Sequence, residues 1–546
     1  MTGIKKFLLW LLGILIVSLP VISPLTKPGF FPTHDGEWAV VRLAEMNREL
    51  KDLQIPPRWS DFLNHGYGYP LFLFTYPFPY YLGEVFHVLG FGLVNSIKLL
   101  FLLSVLLSGV FMFLLGYELE GEVAGFIAAA LYIYAPFRLV DIYVRGSLGE
   151  SLSFALFPLL FWLSLRLIQE PNLLKLVLTS TVLAILILTH NVMALIFTPI
   201  WLIFSLVAVK YYYEDINKYL FRWLVPILVL GLGLSSYFWL PALWEKKFIY
   251  LSQSPLSNLT TNFINPMEFF NSPWNYGVRP SFQLGWIHIL IFILGILTLL
   301  LEKGMDRKKN LFLGFYILVS AFVLMILTLP ISYPFWKLPL LSTIDFPWRL
   351  MAPITFFLSL GVMFATKRKW VRYFVYAFIV LSFFLIPNFA KPQEYFQKED
   401  DYYRNIDATT TSADELMPIW VNDKPKNKYQ NKVEVETGRA DISAIDFNSK
   451  HIAFVLNALT PARLRINSIY FPGWEYTLDG NKTNIEYINS KGLVTVDLPV
   501  GTHRIAGTFG ATTVRKWADI ITIGSLAITL VILIVQFSPR LRIKLL

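Results

Sequence analysis

The chain contains no cysteine among its 546 residues. That excludes disulfides, thiolate zinc sites, iron–sulfur clusters and a cysteine nucleophile, whatever the compartment. Charge is scarce too: Asp, Glu, Lys and Arg make up 15% of the residues, against roughly one-quarter in soluble domains. There is no Walker-type Gly-Lys-Ser/Thr sequence, no His-Glu-x-x-His, no internal repeat and no low-complexity tract. Nucleotide hydrolysis and helix-borne zinc chemistry therefore have no motif to rest on.

What is abundant is hydrocarbon: 55% of residues are hydrophobic and 16% aromatic. Apolar runs lie near 7–21, 96–117, 123–135, 149–168, 172–188, 191–209, 220–242, 284–301, 311–329, 348–366, 371–388 and 517–537. That makes about twelve stretches of spanning or near-spanning length. The first follows Lys5 and Lys6 with no small-x-small cleavage site after it, so it reads as a retained helix rather than a signal peptide.

A net charge of +10 would suggest nucleic acid in a soluble protein, but here the location of the basic residues decides the meaning, and no nucleic-acid partner is expected. They cluster between apolar runs, at Lys5/Lys6, Arg166 with Lys175, Lys210/Lys218/Arg222, Lys303/Arg307/Lys308/Lys309, Lys367/Arg368/Lys369/Arg372 and Arg540/Arg542/Lys544. The positive-inside rule places all of them, with both termini, on the cytoplasmic side of a cell membrane. Counting runs allows this only if Tyr69–Phe91 does not cross. Pro70, Pro77 and Pro79 interrupt that stretch, and Glu84 and His87 would otherwise sit in lipid. The extracytoplasmic face then receives 26–94, 136–149, the turn at His190, 244–282, 330–347 and 390–516.

Residues 390–516 are polar and hold no spanning run. Period-two alternation over 451–456, 462–469, 493–498 and 503–509, with turn signals at Asp479-Gly480 and Val500-Gly501, predicts an antiparallel, sandwich-like β-domain. Residues 395–430 read as a looser linker. The expected fold class is mostly α, a polytopic membrane protein with an extracytoplasmic β-rich domain. Its parts are a transmembrane module 1–389 with an outer loop 27–94, the β-domain 390–516, and a last spanning helix with a basic tail, 517–546.

Reactive side chains concentrate in the outer loops. Thr33-His34-Asp35-Gly36-Glu37-Trp38 precedes an amphipathic stretch carrying Ala39, Leu43, Met46, Leu50 and Leu53, which predicts a helix lying flat on the membrane. Asp35 stands at its start, either as an N-cap or, with Glu37, as a carboxylate pair able to take a proton or hold a divalent cation. Arg58, Trp59, Tyr67 and Tyr69 belong to an aromatic sequence suited equally to sugar rings or to an interfacial belt. Arg138, Asp141, Arg145 and Glu150 share the second outer loop, and His190 and Arg349 mark later outer helix ends. Such arginines either bind a phosphate in an apolar setting or contact headgroups and pair with Asp141 or Glu150. His190 could equally cap a helix C-terminus.

One helix, an outer loop with a carboxylate pair and a surface helix, then Pro-rich aromatic sequence before the next span: this order resembles the GT-C superfamily of membrane glycosyltransferases. More narrowly, His34-Asp35, Pro57-Arg58-Trp59, Gly66-Tyr67-Gly68-Tyr69-Pro70, Arg145-Gly146-Ser147-Leu148-Gly149-Glu150, Thr189-His190-Asn191 and Phe346-Pro347-Trp348-Arg349 resemble the prokaryotic membrane family described as 6-pyruvoyl-tetrahydropterin synthase-related. The three-His metal set of a pterin synthase has no counterpart. Tyr470-Phe471-Pro472-Gly473-Trp474, Asp479-Gly480 and Pro499-Val500-Gly501-Thr502-His503 are similar to the outer β-domain of bacterial membrane proteins implicated in glycosylating cell-wall polymers or lipids.

These resemblances imply an inverting hexosyl- or pentosyltransferase. It would take a lipid-linked sugar, on polyprenyl phosphate, to an extracytoplasmic acceptor such as an envelope glycan, lipid or protein. Asp35 and Glu37 would be the catalytic pair and the ligands of any Mg or Mn ion, although Glu37 stands where a second Asp is usual. Arg138, Arg145 and Arg349 would hold the donor phosphate, while His34, Arg58, Trp59, Tyr67, Tyr69, Glu150 and His190 would contact substrate. Two other classes fit the same chain: a transporter or flippase of lipid-linked sugars, and a non-catalytic envelope-assembly protein. Ion-coupled transport normally shows ionisable groups near the midplane, whereas here they gather at helix ends.

Overall fold

An α-helix satisfies its own backbone hydrogen bonds, so a chain this apolar is helical wherever water is excluded. The computed structural model describes residues 3–212, 215–253, 258–274, 276, 279–301 and 307–538. It begins with α1 (Gly3–Ile22), α2 (Gly36–Lys51), α3 (Leu71–Phe74), α4 (Phe78–Val88) and the long α5 (Leu93–Glu120). There follow α6 (Glu122–Tyr134), α7 (Pro136–Val140), a π-helical turn over Asp141–Arg145, α8 (Leu148–Gln169), α9 (Leu173–Thr189) and α10 (Asn191–Tyr212). The rest of the bundle is α11 (Ile216–Tyr219), α12 (Val225–Leu234), α13 (Ser236–Glu245), α14 (Trp286–Leu300), α15 (Arg307–Leu327), α16 (Met351–Gly361), α17 (Lys369–Leu385), the short α18 (Asp400–Arg404) and the terminal α19 (Thr513–Phe537).

Among the described residues, eight helical segments are long and apolar enough to cross a membrane, and ten if each of two bent pairs counts as one span. α9 and α14 are shorter apolar helices. Together these account for all twelve apolar runs. α9 and α14 have 17 and 15 residues, hence about 25 and 22 Å of rise against the roughly 30 Å of a hydrocarbon core. The stretch 69–91 forms only α3 and α4, of 4 and 11 residues, too short to cross. Its prolines sit where the sequence places the breaks, Pro70 and Pro77 as the N-caps of α3 and α4.

Three basic clusters meet at one end of the bundle, where Lys6, Arg166 and Lys367 pair with Glu122, Glu118 and Glu120 around the α5–α6 turn. The side chains of the Lys303/Arg307/Lys308/Lys309 and Arg540/Arg542/Lys544 clusters lie outside the described residues. The opposite end carries the β-strands.

Those strands are β1 (Val433–Thr437), β2 (Ala440–Phe447), β3 (His451–Ala458), β4 (Ala462–Ile469), β5 (Trp474–Leu478), β6 (Asn481–Lys482), β7 (Leu493–Leu498) and β8 (Gly501–Phe509). They form two antiparallel sheets, ordered β1-β4-β7 and β2-β3-β8-β5-β6. The four alternating runs of the sequence are β3, β4, β7 and β8. Ile452, Phe454, Leu456 and Ala458 of β3 point inward, as period two requires. Asp479 and Gly480 join β5 to β6 with φ of 51° and 81°, the two positive angles of a tight hairpin turn.

Two expectations change. α2 is not open on a surface: Ala39, Leu43 and Met46 are buried, but so are Glu45, Asn47 and Glu49, because α4, α5 and α18 pack around it. Nor is 395–430 loose. Phe396 pairs with Phe30, and Pro418 with Ile249. Asp400 accepts from the Leu93 backbone N–H at 2.9 and 3.0 Å, which ties this segment to the N-terminus of α5, while α18 packs on α2.

The sheets are pinned to the bundle by a buried ion pair. Arg515 of α19 donates to Glu245 of α13 at 3.0 and 2.7 Å and to the Pro472 carbonyl at 2.7 Å. Arg515 and Glu245 are both essentially without solvent exposure.

Candidate functional site

Two glycines bring the first outer loop against the π-helical turn. Gly146 has φ 63°, and a Cβ there would fall 2.3 Å from Thr33 Oγ1 and 2.7 Å from the Gly36 nitrogen. A Cβ on Gly36 would fall 2.4 Å from the same hydroxyl. The close approach is tied by two backbone bonds: His34 N–H donates to the Val144 carbonyl at 3.1 Å and Asp35 N–H to the Arg145 carbonyl at 2.8 Å. Residues 110 positions apart are thereby held in fixed register.

Asp35 occupies the N-cap position of α2, but its side chain makes no capping bond. Thr33 Oγ1 accepts from Gly36 N–H at 2.9 Å instead. Among the described residues no hydrogen bond reaches the Asp35 carboxylate, which is partly exposed. Its charge is felt by Arg42, Tyr76, Tyr80 and Arg145, so the carboxylate faces a basic and phenolic wall.

Arg42 was not singled out by the sequence. It lies seven residues, two helical turns, beyond Asp35 on the same face of α2. It donates to Thr410 Oγ1 at 3.1 Å, to the Thr410 carbonyl, and to Tyr80 OH at 3.4 Å. Burial alone would lower its pKa, but Tyr80, Tyr76 and Asp35 together push it up. Tyr76 stacks on His190 at 4.9 Å and on Tyr80 at 6.3 Å. Gly149 allows this: a Cβ there would sit 2.6 Å from the Tyr76 ring. His190 serves two helix ends: it is the C-cap of α9, its backbone N–H donating to the Leu186 carbonyl at 3.0 Å, and its Nδ1 accepts from Met193 N–H at 3.2 Å at the start of α10.

The three arginines differ in what they have to offer. Arg145 Nη1 donates to Asp141 at 2.5 Å and to Glu150 at 2.6 Å, and its guanidinium lies 4.5 Å over Trp348. Two carboxylates already balance that charge. Arg138 is buried with α5 and α8, donating to the Ser104 carbonyl at 2.7 Å and lying 4.9 Å over Phe154. Arg349 is different. Among the described residues its guanidinium has no ion pair or hydrogen bond; its nearest ring is Phe346 at 5.0 Å, and its Nε is buried without a partner. Its electrostatic surroundings are the carboxylates of Glu150 and Asp345, the Arg145 guanidinium and Tyr76.

Asp35, Arg145, Glu150, His190 and Arg349 thus converge, joined by Arg42, Tyr76 and Tyr80. Glu37 faces elsewhere: it accepts from Lys398 Nζ at 2.9 Å and from Tyr403 OH at 3.4 Å. That fits a divalent cation poorly, because the second carboxylate already carries an ammonium. Among the described residues no group of three or more His, Asp or Glu is arranged to hold a metal.

Four of the expected substrate contacts are engaged within the protein itself. Trp59 is fully buried against Phe471, Trp474 and Phe509. Arg58 pairs with Asp519 of α19 at 2.5 Å. Tyr67 packs edge-on against Tyr429, and Tyr69 OH meets Thr411 Oγ1 at 2.6 Å. They lie in the seam between bundle and sheets. The His34 side chain is exposed and its backbone makes the tether.

Residues 73–393, more than half of the chain, match the 6-pyruvoyl-tetrahydropterin synthase related domain, described as a membrane protein. An uncharacterized protein of Lactococcus lactis subsp. cremoris is 24% identical over 345 residues, covering 59% of this chain and 54% of that protein. The chain therefore spans about half the length of the curated relative it matches. Among solved structures, the arabinofuranosyltransferase AftD from Mycobacteria is similar at 13% identity and TM-score 0.45, over 71% of this chain and 26% of AftD. The oligosaccharyltransferase AglB from Archaeoglobus fulgidus, in complex with an inhibitory peptide and a dolichol-phosphate, is similar at 14% identity and TM-score 0.42, over 77% and 62% of the two chains. By the extent of the domain match, the chain belongs to the 6-pyruvoyl-tetrahydropterin synthase related family of membrane proteins.

Proposed function

We propose that this protein is an inverting membrane glycosyltransferase of the GT-C type. It would move a sugar from a polyprenyl-phosphate donor to an acceptor on the extracytoplasmic face of the cell membrane. The observation that carries the reading is a carboxylate that, among the described residues, accepts no hydrogen bond, Asp35, fixed by backbone tethers and sharing Tyr76 as a neighbour with Arg349, an arginine that makes no direct ion pair or hydrogen bond among those residues. A site that leaves a base and a cation unspent has both requirements of displacement at an anomeric carbon.

In this reading Asp35 takes the proton of the acceptor hydroxyl as its oxygen bonds to the anomeric carbon and the bond to the phosphate oxygen breaks. Negative charge grows on the departing phosphate, where Arg349 stabilises it most in the transition state. An arginine does this without losing its proton. Arg42 positions Tyr80 and keeps the wall opposite Asp35 positive. Arg145, neutralised by Asp141 and Glu150, orients the loop that carries Asp35. No metal ion takes part in this scheme.

Asp35→Asn tests it. The substitution keeps the shape and removes the basicity, and since Thr33 already makes the capping bond, stability should barely change. Transfer measured in membranes at matched protein level should fall by at least about a hundredfold, the range general-base catalysis contributes. Retained transfer would overturn the assignment.

One observation favours transport as a second reading. The Glu122–Tyr134 and Pro136–Arg145 segments form a span bent by 45°, and broken spans occur in transporters. A transporter would move intact lipid-linked sugar across vesicles in the Asp35→Asn protein at the wild-type rate, with no glycosylated product.

A further inference from the structure

At the basic end of the bundle, opposite the sheets, the α5–α6 turn opens into a cavity of about 800 Å³. Gly121 turns the chain there with φ 86°, and a Cβ on it would meet nothing within 4 Å. Three carboxylates line the cavity, Glu118, Glu120 and Glu122. Each is already met by a cation from another segment: Arg166 of α8 on Glu118 at 3.3 Å, Lys367 on Glu120 at 3.2 Å, and Lys6 of α1 on Glu122 at 2.6 Å.

Arg372, in the first turn of α17, lines the same cavity. Among the described residues its side chain makes neither an ion pair nor a hydrogen bond; only its backbone N–H is engaged, by the Arg368 carbonyl at 3.1 Å. With the carboxylates balanced pair by pair, the charge left over in the cavity is positive and attracts an anion. The sequence around Arg372 fixes its depth. Trp370 is 63% exposed and Tyr373 72%, and further along α17, a candidate membrane span, Val380, Leu381 and Phe384 are exposed as well. Open Trp and Tyr rings ahead of an open apolar flank mark the headgroup level of a membrane. Arg372 therefore stands where lipid phosphates lie.

We infer that this cavity holds the headgroup of an anionic phospholipid, its phosphate on Arg372 and its acyl chains along the exposed apolar flank of α17. By the positive-inside rule the lipid belongs to the cytoplasmic leaflet, where basic pockets between helices meet anionic headgroups. An ethanolamine or choline headgroup would bring a further cation to carboxylates that Lys6, Arg166 and Lys367 already occupy. Phosphatidylglycerol is the better match, since its one charge meets one uncommitted guanidinium and its glycerol hydroxyls suit polar walls. The bound lipid ties α17 to the α5–α6 turn. This end of the bundle is remote from Asp35, so the inference stands or falls independently of the proposed reaction.

Native mass spectrometry of the purified full-length protein in detergent, titrated with phosphatidylglycerol, tests this. Arg372→Gln should weaken the lipid by about tenfold or more, the loss of one charge-assisted contact. Lys369→Gln removes the same charge from an exposed position nearby and should cost less than about twofold. Val123→Trp narrows the cavity without touching a charge, because Val123 is half-buried in its wall, and should weaken phosphatidylglycerol as Arg372→Gln does. Phosphatidylcholine with the same acyl chains, and glycerol 3-phosphate, should each bind at least about tenfold more weakly than phosphatidylglycerol. Wild-type affinity in a folded Arg372→Gln or Val123→Trp protein overturns the inference. So do equal losses in Lys369→Gln and Arg372→Gln, or parity of phosphatidylcholine with phosphatidylglycerol. Glycerol 3-phosphate binding as tightly as the lipid would assign the cavity to a soluble phosphate and overturn it too. Melting temperature and monodispersity identify a variant that folds, and either variant alone decides the matter.

Discussion

Arg349 and Arg145 show how the same side chain acquires different value from its neighbours. Arg145 is held by two carboxylates, so removing it leaves Asp141 and Glu150 as buried, uncompensated charges. Arg145→Gln should therefore lower the amount of folded protein before it lowers specific activity, a distinction that immunoblotting alongside transfer assays resolves. Arg349→Gln should leave protein levels unchanged and reduce transfer by about a hundredfold, comparable to the loss of one transition-state donor. Arg349→Lys should recover part of that loss, since a lysine restores charge without the planar fork. Asp35, Arg145, Glu150, His190 and Arg349 can be picked out from the chain as polar residues at helix ends. Arg42 cannot be, because its partners Thr410 and Tyr80 arrive from distant segments. Nor does the sequence reveal that Trp59 and Tyr69, although as aromatic as Tyr76 and Tyr80, are consumed by packing.

Helices were the easier elements to foresee, because twelve apolar runs carry their own signal and prolines mark where 69–91 breaks. The same local logic found β3, β4, β7 and β8 by alternation. It missed how α2 is enclosed, since a helix with Glu45 and Glu49 on its buried side has the pattern of one facing water. Burial pushes the Glu45 carboxyl up to about 8, with Asp61 adding to the effect and Arg48 opposing it. A carboxyl whose folded pKa is raised binds more protons folded than unfolded between about 4.5 and 8, so its contribution to stability falls as pH rises through that window. Glu45→Gln should flatten this dependence and raise the melting temperature at pH 8 while changing little at pH 5. Thermal unfolding in detergent across that range measures it, and a parallel shift at both pH values would refute the assignment to Glu45.

For the molecule as a whole, the orientation inferred from basic clusters predicts where each end of the bundle lies. A reporter active only outside the cytoplasm should be active when fused after Phe91 or Gly149 and silent after Lys369. Lys6, Arg166 and Lys367 share one end, so activity at Lys369 would invert the arrangement and place Asp35 inside the cell. The β-sheets could be anticipated, but not how they are joined to the bundle, because the joining residues, Arg58, Glu245 and Arg515, lie hundreds of positions apart.

The Arg515–Glu245 pair also imposes an order on synthesis. Glu245 is made long before its partner, and until α19 arrives α13 holds a carboxylate in a place built for an ion pair. A protein stopped before residue 513 should consequently be recognised as unfinished and degraded, rather than persisting as a bundle without an anchor, and pulse–chase labelling of that truncation would show it.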